Sequence, residues 1–109
     1  MVIKNLPFEA VDWEEVKKER HEGEVGFAVW KTRQCGDIRV RVVEYSPDYK
    51  ADHWCAKGHI IFCLEGEMTT ELKDGRLIEL RKGMSYHVED VSYPHRSYTK
   101  DGAILFIVD

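Results

Sequence analysis

The sequence predicts an all-β protein, a small antiparallel β-barrel with little helix. Segments that are apolar, or that alternate apolar and charged residues, are separated by turn residues about every 8–12 positions, a spacing typical of β-sandwiches and barrels. The chain has 109 residues, which is the size of one domain with a core of its own. An Asp-Gly pair between two such segments is a strong signal for a β-hairpin.

The N-terminal part is predicted to be an arm (residues 1–25) that packs on a single barrel (residues 26–109). Asp12 could cap a short helical turn that contains Glu14 and Glu15. An irregular arm packed by Phe8 and Trp13 is an equal alternative. In either case we expect the charged residues of the arm to form a solvated face.

The expected strands of the barrel are residues 27–30, 38–43, 60–64, 68–72, 76–80, 84–88 and 103–108. Residues 38–43 alternate apolar and charged side chains with period two, which indicates a half-buried strand. Residues 34–37 and 73–75 contain turn-forming residues, and the second group is expected to close a hairpin.

Charge and composition exclude several classes of function. The net charge is −4 without a clustered basic face, so binding to nucleic acid is not expected. No apolar run approaches the ~20 residues of a membrane span, and the N-terminus has no apolar signal core, so we expect a cytoplasmic protein that does not bind membranes. The three cysteines, an odd number, argue against a disulfide framework and leave free thiols or metal ligands.

Four residues with soft donor atoms are the candidates for a metal site: His53, Cys55, His59 and His95. In an extended chain His53 and Cys55 share one face. A straight strand would place His59 about 20 Å beyond His53, whereas an ion binds each donor atom at about 2.0–2.3 Å. The chain must therefore bend after Cys55, where Ala56 and Gly58 permit it, so that one strand ends at 53–55 and the next begins at 59.

Antiparallel closure of the barrel can bring His95 beside the other three, because Pro94 marks a strand entry or a turn before it. Imidazole and thiolate donors suit zinc, iron, copper or nickel. Cys55 could instead be a small buried hydrophobic residue next to the ion. Other histidines and cysteines are predicted to be structural, with Cys63 as a core thiol: His21, His87, Cys35 and Cys63.

Arg39 and Arg41 share one face of the strand predicted at 38–43. They could form a cationic wall for an anionic ligand. A solvated face paired with nearby carboxylates is the more common arrangement. Arg96 is expected to be structural.

Two segments resemble the motifs of the cupin family. The first cupin motif runs His-x-His, three or four residues, Glu, six residues, Gly, and its positions fall on four residues of this chain: His53, Cys55, His59 and Gly66. The second motif matches Gly83 and His95 with one extra residue between them, but Glu-Asp-Val at 89–91 replaces the usual Pro-x-Gly. Residues 51–55 also resemble the small cupins named for an Asp-His-Cys-Trp motif, with the last two residues in the opposite order.

The resemblance covers roughly residues 36–109 and implies a cupin-type double-stranded β-helix, or jelly-roll, barrel of the RmlC-like kind. It also implies one metal ion in the barrel mouth, with the four residues above as ligands, and usually a homodimer. Replacement of the usual Glu by His59 and of the second His by Cys55 makes the site softer, which favours zinc, nickel or copper over manganese, while three histidines also suit iron(II). Zinc, nickel or iron is the expected ion. It also removes the obvious general base, so no catalytic residue is identified. Trp30 and Trp54 are candidates for the dimer interface, and packing within the core of the chain is an equal alternative for both.

Three functions stay open for such a barrel. With an open coordination position, the ion would act on a small molecule, and Tyr86, Lys57 and Arg41 are candidate pocket groups. A shell filled by all four ligands would make a non-catalytic module that binds or senses a metal or small ligand. A plain dimeric barrel without metal is the third. The first is favoured because a barrel of this size does not need a structural metal to fold.

Overall fold

The computed structural model describes residues 2–109 and confirms the predicted all-β jelly roll. In this part of the chain a short 3₁₀-helix, Trp13–Glu15, precedes the strands. The strands are β1 (Lys18–Glu22), β2 (Phe27–Cys35), β3 (Ile38–Tyr45), β4 (His59–Leu72), β5 (Leu77–Arg81), β6 (Ser85–Val88), β7 (His95–Tyr98) and β8 (Ala103–Val108). Within residues 2–109, no helix has the length and apolar character needed to cross a membrane.

The strands form two antiparallel sheets that share the long strand β4. In the first sheet, β4 begins between β6 and β8, and β8 continues through β3 and β2 to the edge strand β1. In the second sheet, the later half of β4 lies between β5 and β7. Because one strand belongs to both sheets, residues at its two ends line the two walls of the barrel.

The transition of β4 between the sheets depends on a local irregularity. Its register with β8 shifts between Cys63 and Glu65, which is the effect of a β-bulge. Gly66 follows with φ of 75°, and a Cβ there would collide with the carbonyl oxygen of Gly102. Glycine is therefore required at the point where the strand changes sheets. The two strands predicted at 60–64 and 68–72 are one continuous strand for this reason.

The core lies between the two sheets, where the inward residues of each strand meet. Cys63 is fully buried, which confirms the predicted core thiol. Its neighbours along β4 alternate between the core and the outer face, as the pleat of a strand requires. The buried apolar residues are Ala28, Val43, Ile61, Cys63, Met68, Leu80, Ala103, Leu105 and Ile107.

The N-terminal segment combines the two expected arrangements and adds a strand. Asp12 caps the 3₁₀-helix, since its Oδ1 accepts a hydrogen bond from the Glu14 N–H at 3.1 Å. Trp13 packs edge-on against Phe106, but Phe8 is fully exposed and does not pack. The edge strand β1 was not expected, because its residues are almost all charged and show no apolar alternation. The division into an arm and a barrel stays a prediction.

Candidate metal centre

Three of the four predicted ligands converge between the sheets: Cys55, His59 and His95. Their donor atoms all lie within 4.8 Å of one another. His59 opens β4 in the first sheet and His95 opens β7 in the second, so the two rings face each other across the barrel mouth. Cys55 is held by an isolated β-bridge in which its N–H donates to the His95 carbonyl at 2.7 Å and its carbonyl accepts from the His95 N–H at 2.9 Å.

His53 is not part of this cluster. Its side chain is 75% exposed, and its Nδ1 lies 2.6 Å from Asp52 Oδ1. The prediction that it shares a face with Cys55 assumed an extended chain, but the backbone bends at residues 52 and 53, so the alternation of a strand does not apply. Ligation by His53 stays a prediction. The expected bend before His59 is present, and β4 begins at His59.

The two imidazoles face each other through the nitrogens that would bind a metal. His59 Nε2 and His95 Nε2 are 2.9 Å apart. Two nitrogens that each bind one ion at about 2.0–2.1 Å have this spacing when the angle at the ion is about 90°. The separation therefore matches two adjacent positions of one coordination shell.

The hydrogen bonds of the two rings leave a place for a cation. His95 Nδ1 lies 2.7 Å from the Tyr93 carbonyl, which accepts only from an N–H, so the lone pair of neutral His95 is at Nε2. Burial is the main cause that lowers the pKa of His59 to about 4, so this ring is neutral near pH 7. Its Nδ1 is buried without a hydrogen-bond partner. If His59 Nδ1 carries the proton, the lone pairs of the two Nε2 atoms face each other at 2.9 Å. If His59 Nε2 carries it instead, His59 Nδ1 is a buried acceptor without a hydrogen-bond donor.

Cys55 offers a thiolate to the same centre. Interaction with the His95 side chain lowers the pKa of the Cys55 thiol against the opposing effect of burial, and the Lys57 N–H, 3.4 Å from Sγ, lowers it further. The same contact raises the pKa of His95. A thiolate and two imidazoles are soft and borderline donors that zinc, nickel and iron accept. The residues present therefore fit a transition metal ion.

Asp109 lies behind His59 and was not among the site residues predicted from the sequence. Its carboxylate is fully buried, and Oδ2 is 3.8 Å from His59 Nδ1. Arg39 Nε donates to Oδ1 at 2.8 Å and Arg41 Nη2 donates to Oδ2 at 2.9 Å. Burial acts to raise the pKa of Asp109, but the hydrogen bond from Arg39 and the charge of Arg41 lower it, so the group is ionised. A carboxylate behind a ligand histidine is the usual device that orients its ring.

The two arginines therefore form neither the predicted solvated face nor a free cationic wall. Arg41 is only 6% exposed, and its guanidinium lies 4.3 Å from the centre of the Trp30 ring. The period-two pattern placed both arginines on one face correctly, but that face points inward. Their buried carboxylate partner, Asp109, directly follows β8 and is far from them along the chain.

A cavity of about 440 Å³ opens beside His95. Of the candidate pocket groups, Tyr86 lines it, whereas Lys57 and Arg41 do not. The lining residues are Thr70, Leu72, Arg76, Ile78, Tyr86, His87, Val88, Glu89, Tyr93 and His95. A candidate ligand space thus adjoins the candidate metal centre.

The remaining predicted residues have local partners. Trp30 stacks on His21 with ring centres 3.9 Å apart. Trp54 lies beneath Arg96, whose guanidinium is 4.6 Å from the ring centre. Arg96 also pairs with Glu71 at 3.1 Å, which agrees with its expected structural role. Both tryptophans are therefore engaged within the chain.

Comparison with known proteins identifies the fold. No family model and no curated protein matches the sequence. Solved structures do match: the polyketide cyclase RemF from Streptomyces resistomycificus has a TM-score of 0.77 at 23% identity, covering 94% of this chain and 78% of that one. An RmlC-like cupin from Shewanella frigidimarina has a TM-score of 0.75 at 16% identity, covering 95% and 91%.

A further match is HppE in its Fe(II) form with substrate bound, with a TM-score of 0.75 at 20% identity. The match covers 94% of this chain but 60% of that one, so the chain spans only part of the length of HppE. These likenesses, at low sequence identity, show the fold alone: the chain has a jelly-roll barrel like those of the matched cupin structures.

Proposed function

We propose that the protein is a metal-binding cupin that holds one divalent transition metal ion through Cys55, His59 and His95 and acts on a small molecule bound beside it. The observation that carries this proposal is the pair of buried imidazoles whose Nε2 atoms face each other at 2.9 Å, with a thiol within reach. In one tautomer of this pair two lone pairs face each other, and in the other His59 Nδ1 is an orphaned buried acceptor; an ion bound by both Nε2 atoms removes the facing lone pairs.

Zinc, nickel and iron are the proposed ions, because neutral imidazole and thiolate suit all three. The Fe(II) form of HppE, which has the same fold, supports this class of metal. When bound with an open position, such an ion polarises a substrate oxygen or activates water. In this chain Cys55, His59 and His95 would hold the ion, Asp109, 3.8 Å from His59 Nδ1, would orient that ring, and the Lys57 N–H would support the Cys55 thiolate.

A second candidate function depends on His53. If its ring turned inward, four donors would fill a tetrahedral shell, and the protein would be a non-catalytic module that binds or senses metal. The exposure of His53 and its contact with Asp52 favour the three-ligand site. The adjoining cavity also favours a site that meets a small molecule.

Elemental analysis of purified variants tests both functions. We expect one metal ion per chain in the wild type, loss of metal in His59→Ala, and retention in the control His87→Ala, which removes an exposed histidine of β6. Equal, low metal content in the wild type and His59→Ala would remove the proposal. Retention of metal in His53→Ala supports the open site, and its loss there supports the sensing module.

The proposal includes a homodimer formed through the outer face of β4. Ile60, Phe62 and Leu64 alternate with core residues and are 47%, 41% and 37% exposed. A row of large apolar side chains on a sheet face is typical of a protein interface. This face takes the place of Trp30 and Trp54 as the proposed dimer interface, because both tryptophans have partners within the chain. We also propose a cytoplasmic location, because a thiolate ligand is preserved in a reducing compartment.

A further inference from the structure

We propose that the cavity beside His95 binds the apolar body of an uncharged, ring-containing small molecule, with one end directed at the candidate metal centre. This inference rests on the proposed function, since it names the substrate class of the same site. The walls, the floor and the rim of the cavity each favour such a ligand.

The walls are mostly hydrocarbon. Leu72, Ile78 and Val88 contribute aliphatic surface, and Tyr86 and Tyr93 contribute aromatic rings. Aromatic rings interact well with other rings, edge-on or offset, beyond the gain from buried area. The volume of about 440 Å³ is within the usual range for a small-molecule site. The walls thus favour a compact ligand with at least one ring.

The floor has polar groups, but they bind one another. Thr70 Oγ1 lies 3.2 Å from the Tyr86 hydroxyl and 3.3 Å from Ser97 Oγ. A ligand that enters the cavity does not have to supply partners for these hydroxyls. A polar end of the ligand would therefore find its partner at the His95 side, next to the candidate ion.

The rim disfavours an anion. Arg76 is the one Arg or Lys among the described residues that line the cavity. Its Nη2 is 2.8 Å from Asp74 Oδ2, and its guanidinium lies 5.8 Å from the Tyr93 ring centre, so its charge is already paired. Glu89 adds a carboxylate to the rim. Apart from the candidate ion, an anionic ligand would find no unpaired Arg or Lys at this rim and would face the Glu89 carboxylate, whereas an uncharged ligand would not meet this repulsion.

Two fluorescent probes with the same rings test this inference. N-phenyl-1-naphthylamine is uncharged, and 1-anilinonaphthalene-8-sulfonate differs by one sulfonate. Titration of the metal-loaded protein at pH 8 should give at least about tenfold tighter binding of the uncharged probe. Ile78→Asp places a carboxylate in the wall and should weaken that binding by about tenfold or more. Leu77→Asp, the same acidic substitution at the exposed neighbouring residue of β5, which does not line the cavity, should not alter it.

Ile78→Thr is a milder second variant in case Ile78→Asp does not fold, and it should weaken the uncharged probe by about threefold. Metal content is measured in the same samples. Equal binding of both probes, no binding of the uncharged probe, or a larger effect of Leu77→Asp than of the Ile78 variants would overturn the inference. Intact probe binding in a wild type that holds no metal would overturn the proposed function instead, while the preference of the cavity for an uncharged ring would stand.

Discussion

Replacement of Asp109 by Asn tests how the chain orients its candidate ligand His59. In the wild type the Asp109 carboxylate faces His59 Nδ1 at 3.8 Å, a distance that a movement of about 1 Å would convert into a hydrogen bond. Such a bond keeps the proton on Nδ1 and the lone pair of Nε2 directed at the ion. Asn preserves the shape of the side chain but removes its charge.

The size of the effect follows from the partners of the carboxylate. Loss of the group that orients a metal-bound histidine weakens metal binding by about 10–100-fold. The side chain of Asp109 is 0% exposed and pairs with both Arg39 and Arg41. Removal of one partner from a buried pair costs about 3–5 kcal/mol. We therefore expect Asp109→Asn to lose both metal affinity and stability.

Arg39→Gln is the matched control, because it separates the two effects. It removes the hydrogen bonds of Arg39 to the carboxylate and so lowers the free energy of unfolding. The negative charge that faces His59 stays in place, so metal affinity should be unchanged or higher. Urea denaturation gives the stability of each variant, and competition with a chromophoric chelator for Zn²⁺ gives the Kd.

The proposed role of Asp109 in orienting His59 fails if folded Asp109→Asn binds Zn²⁺ as tightly as the wild type. It also fails if Arg39→Gln loses as much affinity as Asp109→Asn, because the loss would then follow stability and not the orienting contact. Both comparisons are made at temperatures where every variant is fully folded.

Four further measurements probe the fold and the site. In metal-free protein, the free energy of unfolding should fall as the pH drops from 6.5 towards 4. The reason is that His59 takes up a proton in the unfolded chain over this range, whereas buried His59, with its pKa of about 4, does not. Equal pH slopes for the wild type and His59→Asn in urea titrations would contradict this. Gly66→Ala should destabilise clearly more than the roughly 1 kcal/mol expected for Gly75→Ala, since both have positive φ but only Gly66 meets backbone; similar melting temperatures would refute the collision. Phe62→Glu should dissociate the proposed dimer in light scattering, whereas Leu77→Glu, an exposed change on β5, should not. Removal of metal by a chelator should leave cooperative thermal unfolding, because none of the three donor residues belongs to the apolar core; a non-cooperative melt would indicate a structural metal.

Much of the fold could be predicted from local patterns. Alternation at 38–43 and the Asp-Gly turn at 74–75 correctly indicated β3 and the hairpin of β4 and β5. Two features could not be read in this way. The charged edge strand β1 has no apolar face of its own. The Glu65-Gly66 pair looks like a strand end, but it is a bend inside β4 that exists because the strand joins two sheets.

The candidate site also has features that the sequence predicted and features that only the folded chain shows. The residue types and the motif spacing indicated four donors, and three of them are together. His53 differs because a bend at residues 52 and 53 turns its side chain outward, and such a bend leaves no clear mark in the sequence. Asp109 was missed because it is recognised only by its partners. Two arginines on the buried face of β3 require a buried carboxylate, but the sequence does not show that this face is the buried one.

The sequence by itself determined the period of the strands, the places where turns could form and the chemical nature of the donors, because these depend on neighbouring residues. Only the tertiary structure decided which donors meet, which face of β3 is buried and where an apolar cavity opens. These outcomes depend on the direction of side chains across sheets, and that direction is set by the pairing of β4 with strands distant along the chain.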